Sequence, residues 1–451
     1  MKKAIVLPAT ANQKVVSIQE KPAVKQKVFC PVAMKESSCE IASGEFCNKN
    51  LSDKIECARH FETQSIYHLI PENSFLYDFV NYCNKITDAP DVFCFGAGLI
   101  VISTILQKNT YMKWAGRNLY PNLYLLLIAS SGGRKSTVLN IAKSLLKRFD
   151  TTENSLIYPS DITPEAFYYL AQIKENGTFF HSEFGAFLKG LDRAYNKGFK
   201  EFLTDVYDGF SQEKVIKGPN GGGQKYRINE PVINILASST LAWIAGNIKE
   251  SDRQSGFMQR FNILYCGQDK REIALPTAAV PTDSLLEKLK ELAENSGEIK
   301  LSVGAVEIYN SFFYSAAETE KRKSETYGSY QTRLYTGIIK NSMLYAVLRG
   351  GQVIEKPDMA NAIELKLIFE KNLFEVYERL IEKDETHKKI DKLLNIIVEA
   401  GGEIQRSKLL KNCNLSKFDF DRIIETLIAR ENIISFSKPT TPKATTFYKL
   451  L

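Results

Sequence analysis

Nine consecutive residues, Ala-Ser-Ser-Gly-Gly-Arg-Lys-Ser-Thr from Ala129 to Thr137, constrain the fold more than any other stretch. The run Leu123–Ile128 before them has pure strand character, and Val138–Leu146 after them repeats apolar residues at helical spacing. Strand, small-residue loop, Lys-Ser, helix is the order of a loop that wraps phosphates, with backbone N–H groups turned inward at a helix N-terminus. On that reading the loop residues Ser131, Gly132, Gly133, Arg134 and Thr137 surround the phosphates of ATP. Lys135 reaches the β- and γ-phosphates and the Ser136 hydroxyl sits on Mg²⁺. The usual pattern places Gly where this chain has Ala129 and Arg134. The bland alternative is a strand-to-helix turn with a chance Lys-Ser pair.

At 451 residues the chain has length for two to four domains. Its longest apolar runs, around Val92–Leu106 and Leu123–Ala129, are shorter than the ~20 residues of a bilayer span. No signal peptide is visible, so the expected setting is the cytoplasm without a membrane partner. A net charge of +7 suits a polyanionic partner without demanding one. Cys30, Cys39, Cys47 and Cys57, with His60 behind them, have the donor chemistry of a Zn²⁺ site or an iron–sulfur cluster. No two of the cysteines lie two to four residues apart, which leaves scattered thiols as the alternative.

Patterning divides the chain into a polar, disordered tail over 1–25 and a cysteine module over 26–66. A helical lead-in follows over 67–116, an α/β core over 117–280, a helical region over 281–385 and a last module over 386–451. The fold class expected is therefore α/β with a parallel sheet. The last module reads as helix to Ala400, a stop at Gly401-Gly402, two more helices with Ser416 capping the second, and a terminal pair of strands. That is a winged helix, used for duplex DNA or for protein contacts.

Past the loop, the apolar strand Gly177–His181 runs into Ser182 and Glu183. Glu183 is the expected general base for an attacking water. Ser182 stands where an Asp usually supports Mg²⁺. A further strand, Pro231–Thr240, ends in hydroxyls, of which Ser239 is the expected water-placing residue, with Ser238 and Thr240 near equals. Arg260 precedes the next strand and suits a finger reaching the γ-phosphate of a neighbouring subunit. Arg253 is the reserve, and an intramolecular salt bridge is the alternative for Arg260. Between these strands lies a predicted hairpin over 213–228 with a Gly-rich tip, in which Lys214, Lys217, Lys225 and Arg227 would follow a nucleic-acid backbone.

These elements together resemble the AAA+ helicase-like ATPases of the primase-associated and minichromosome-maintenance-like group, carried by prophages, plasmids and mobile genomic islands. The likeness covers about residues 70–385. It rests on Pro121-Asn-Leu-Tyr124, the Ser-Gly-x-Arg-Lys-Ser loop, Ser-Glu-Phe-Gly from Ser182, Tyr207-Asp-Gly209 and Gly256-Phe-Met-Gln-Arg260. The resemblance implies a P-loop ATPase core, a helical lid whose Arg333 touches nucleotide, and a homo-oligomeric ring. It further implies an ATP-driven DNA helicase or translocase serving a mobile element. No primase carboxylate cluster is evident, so a separate primase or initiator would supply priming. A nucleotide-switched DNA-binding loader with little unwinding is the alternative.

Overall fold

The computed structural model describes residues 66–450, apart from 151–154, 192–195, 197, 218–222, 248–255, 268–280, 321–324, 430–431 and 439–444. Cys30, Cys39, Cys47, Cys57 and Arg253 lie outside the described residues, as do the expected tail and the hairpin tip.

Helix α1 (Phe75–Ile86) opens the lead-in, with the Ser74 hydroxyl accepting from the Tyr77 amide as its cap. Helix α2 (Asp91–Leu106) is buried from Phe93 to Leu106, which explains an apolar sequence without a polar stripe. A small antiparallel pair, β1 (Met112–Trp114) and β2 (Arg117–Leu119), leads into the core. The core follows as β3 (Tyr124–Ala129), α3 (Lys135–Phe149), α4 (Pro164–Ile173), β4 (Asn176–His181), α5 (Phe184–Leu191) and α6 (Phe199–Tyr207). A hairpin of β5 (Gln212–Lys217) and β6 (Gly223–Ile228) comes next, then β7 (Val232–Ser239), α7 (Leu241–Asn247) and β8 (Phe261–Cys266).

The sheet is β4-β7-β3-β8, and every pairing in it is parallel. Strands β3 and β7 are buried along their whole length, as strands covered on both faces must be. Strand β7 follows β4 in the chain yet sits between β4 and β3, with Tyr124 opposite Ile235. This insertion carries the ends of β3, β4 and β7 to one edge.

Helix α2 crosses one face so closely that a Cβ at Gly96 would lie 2.6 Å from Leu264 and 2.7 Å from Leu125. The Ser103 hydroxyl donates to Asn234 Oδ1 at 2.6 Å and fixes the helix against β7. The opposite face carries an aromatic core that includes Tyr124, Tyr158, Phe167, Phe179, Phe202 and Phe261. At the β8 edge, Asn372 Nδ2 donates to Ile263 O and covers an otherwise open strand.

The helical region expected over 281–385 comprises α8 (Asp283–Glu294), α9 (Val303–Glu320) and α10 (Glu325–Leu348). A two-residue parallel pair is added, β9 (Lys300–Leu301) with β10 (Val353–Ile354). Helix α11 (Lys356–Glu399) departs from expectation, running 44 residues across the boundary placed at 385/386. Nothing between Asp384 and Lys389 stops a helix: the segment holds no Gly or Pro, so one helix serves both modules.

Helix α11 ends where predicted. Gly401 and Gly402 take φ of 84° and 86°, and their amides bond back to Val398 O and Ile397 O. Strand β11 (Glu403–Gln405), α12 (Arg406–Cys413), α13 (Lys417–Ala429), β12 (Ile433–Lys438) and β13 (Thr445–Leu450) close the chain as a β11-β13-β12 sheet. Their core, including Ile397, Leu409, Phe420, Leu427 and Tyr448, is separate from that of the large sheet. Among the described residues no helix is long and apolar enough to cross a membrane.

Candidate functional site

A cavity of about 260 Å³ opens at the C-terminal edge of β3, β4 and β7. It is lined by Ser131, Gly132, Gly133, Arg134, Lys135, Ser136, Thr137, Ser182, Glu183, Ser239 and Thr240. Three segments far apart in sequence meet there, and all but Thr240 were singled out by sequence as primary site residues. The open crevice beyond the strand ends of a parallel sheet is where such folds bind ligands.

The 130–134 loop turns tightly because Gly133 N bonds to Ser130 O at 3.2 Å and Gly132 takes φ of 80°. A side chain at Gly133 would put its Cβ 2.8 Å from the Ala129 Cβ. Arg134 caps α3 in the left-handed conformation, φ 53°, at the place where the usual pattern has Gly. An L-residue there costs roughly 1–2 kcal/mol. Its guanidinium Nε donates to Asp88 Oδ1 at 2.6 Å, tying the loop to the α1–α2 connection.

Lys135 is 9% exposed and donates to Ser130 O at 2.7 Å and Ala129 O at 3.1 Å. Burial lowers the pKa of its ammonium, and the Glu183 charge opposes that shift. Glu183 is exposed at the cavity and also begins α5, its carbonyl accepting from Phe187 N. Of the three hydroxyls that close β7, Ser238 is committed, donating to Ser182 O at 2.8 Å and clamping the end of β4. Ser239 and Thr240 remain on the cavity wall.

This donor set suits a chain of phosphates: a lysine, a helix N-terminus, loop amides and hydroxyls. Its fit to a divalent cation is thinner. Ser136 and Ser182 offer hydroxyls, and Glu183 is the one carboxylate among the described lining residues.

Arg260 and Arg333 are not in this cavity. Both line a second one, about 50 Å³, with Tyr207, Asp208 and Gln259 among their neighbours. It lies at the other end of the sheet, because Arg260 precedes Phe261, which pairs with Tyr124 at the start of β3. Six strand residues, roughly 20 Å, separate that end from the loop. Arg260 is 6% exposed, ion-paired to Asp208 and bonded to Gly256 O at 2.6 Å. The structure contains the internal salt bridge left open as its alternative. Arg333, expected at the nucleotide, instead donates to Gln259 Oε1 at 3.1 Å.

Lys340 lies behind this pair, fully buried, donating to Asn122 Oδ1 at 2.6 Å and Tyr207 O at 2.9 Å. Its ammonium stands 3.9 Å from the Tyr207 ring centre. Burial pushes its pKa from 10.5 down to about 7. Between those values the unfolded chain binds more protons than the folded one, so stability rises with pH across that window. Lys174, pushed down to about 8 by burial, has the same sign. The melting temperature is expected to climb from pH 7 to 9, and Lys340→Met to flatten that climb while lowering stability at every pH. A parent-like slope in Lys340→Met would assign the titration to other groups.

The hairpin forms as expected, with Lys214 opposite Tyr226 and Lys217 opposite Gly223. Its charge is less free than the sequence suggested. Glu213 pairs with Lys225 at 2.7 Å and Arg227 at 2.8 Å, and Lys214 lies over the Phe202 ring. Sequence reasoning gave no role to Asp88, quoted Asp208 only within a motif and passed over the buried environment of Lys340. Asp88 lies 46 residues from Arg134 and Asp208 lies 52 from Arg260, so no local pattern announces either pairing.

Among the described residues no group of His, Cys, Asp or Glu is placed to hold a metal ion by itself. No protein-family model matches the chain, and no curated protein matches it in sequence.

Proposed function

We propose that this chain is an ATP-hydrolysing P-loop motor acting on DNA, a helicase or translocase of the AAA+ type. One observation carries the reading. Strand β7 inserted between β3 and β4 brings Lys135, Glu183 and Ser239 to one cavity. The loop amides and Lys135 hold the β- and γ-phosphates of ATP. Ser136 and Ser182, both lining the cavity, would hold Mg²⁺. Mg²⁺, when bound, would draw charge from the triphosphate. Glu183 takes a proton from water as it attacks, and the Ser239 hydroxyl orients that water.

A ring is part of the proposal. Arg260 and Arg333 stand roughly 20 Å of strand away from their own chain's loop, so any phosphate they reach belongs to a neighbouring copy. The C-terminal module is read as a winged helix on duplex DNA. Asp419 and Asp421 on its α13 are neutralised by Lys389 and Arg406, while Lys417 and Arg422 stay exposed. Priming would fall to a separate protein, and the cytoplasm is the proposed setting.

Turnover of ATP with and without single-stranded DNA tests the motor. Stimulation is expected, with an affinity for DNA that falls with salt at a slope near ~0.7 per phosphate neutralised. Replacing Lys214, Lys217, Lys225 and Arg227 by Ala is expected to flatten that slope and abolish the stimulation. Full stimulation in the quadruple variant would leave the hairpin a surface loop.

A second reading is a nucleotide-switched DNA-binding loader with little hydrolysis. Ser182 in place of a carboxylate and the inward Arg260 favour it. Turnover that stays slow and indifferent to DNA would select it.

A further inference from the structure

We propose that Arg134 is a second phosphate ligand of the cavity, exchanged between Asp88 and the nucleotide, and that it makes nucleotide binding only weakly dependent on a divalent cation. The inference rests on the nucleotide reading above and concerns how the site balances charge.

Arg134 lines the same cavity as Lys135, and its side chain is about half exposed while it is paired with Asp88. It occupies a left-handed position, φ 53°, that Gly adopts without strain. A strained residue at a ligand loop points toward a function for its side chain. A guanidinium fits a phosphate with two parallel hydrogen bonds, and a polyanion competes for it directly against the single Asp88 carboxylate.

The charge of the cavity supports the same conclusion. Its described lining holds two cationic side chains, Arg134 and Lys135, and one carboxylate, Glu183. Ser182 removes the carboxylate that would help hold a cation, and Arg134 adds a fixed positive charge in the loop. Neutralisation of the triphosphate shifts from a bound ion to the protein. Asp88 keeps that charge in reserve, bonded to Arg134 Nε at 2.6 Å.

Binding of a fluorescent ATP analogue, measured in Mg²⁺ and in EDTA, tests this on the full chain. The parent is expected to lose less than about tenfold in affinity on chelation. Arg134→Gly is expected to lose about tenfold or more in EDTA and much less in Mg²⁺, as fits one charge-assisted contact. Arg134→Lys should recover part of the loss. Asp88→Asn should tighten binding in EDTA by a few-fold, since it releases the guanidinium. Thermal melting of Arg134→Gly is expected at or above the parent value, because Gly relieves the left-handed strain, so lost affinity is not lost fold.

Arg134→Gly and Asp88→Asn binding as the parent does in EDTA would overturn the inference, and so would a parent that binds only with Mg²⁺. A parent that binds the analogue under neither condition sinks the nucleotide reading itself.

Discussion

ATP turnover is expected to vanish in Lys135→Ala and to fall about 10²–10⁴-fold in Glu183→Gln. The two losses should differ in kind. Lys135 is the buried cation of the loop, so its removal should weaken nucleotide binding as well as turnover. Glu183→Gln keeps shape and hydrogen bonding but cannot accept a proton, so ATP should still bind while the chemical step stalls. The variant should fold normally, because the contact Glu183 makes with α5 runs through its backbone carbonyl to Phe187 N. Single-turnover hydrolysis alongside equilibrium binding separates the effects. Glu183→Gln turning over within a few-fold of the parent would remove it as the base and leave it only as the residue that starts α5.

Arg260→Ala is expected to lower folding stability by on the order of 3 kcal/mol, the scale of breaking a buried ion pair from one side. Arg260 is 6% exposed and its partner Asp208 is mostly covered, so the carboxylate left behind has little water to turn to. Asp208→Asn should cost a comparable amount, and the double variant less than the sum of the two. Chemical denaturation of the four proteins measures that coupling. The trans-acting finger makes a different prediction: Arg260→Ala stable to within about 0.5 kcal/mol, with hydrolysis lost and partly restored on mixing with Lys135→Ala subunits. A large stability loss without rescue assigns Arg260 to the fold; rescue without a stability loss assigns it to the neighbour.

Much of the architecture was legible because it is local. The stop at Gly401-Gly402, the hairpin and the buried helix α2 each follow from residues within a few positions of one another. The walls of the cavity were legible for a related reason. Each follows an apolar strand, and strands that run on into a Lys-Ser loop, Ser-Glu or Ser-Ser-Thr announce themselves one at a time. Helix α11 runs unbroken past the boundary placed at 385/386, because no Gly or Pro there stops a helix, while the core of the last module begins at Ile390.

Neighbours along the chain set the strand-loop-helix around Lys135, the α/β alternation and the residue types of each cavity wall. The tertiary structure alone decided which walls meet. It inserted β7 between β3 and β4, chose Ser238 as the clamp on Ser182, leaving Ser239 and Thr240 on the wall, and gave Arg134 its Asp88. It also turned Arg260 and Arg333 to the far end of the sheet, where Asp208 and Gln259 hold them. A cationic side chain pairs with whatever acceptor the packed core brings within reach, and over separations of 46 to 74 residues only packing makes that choice.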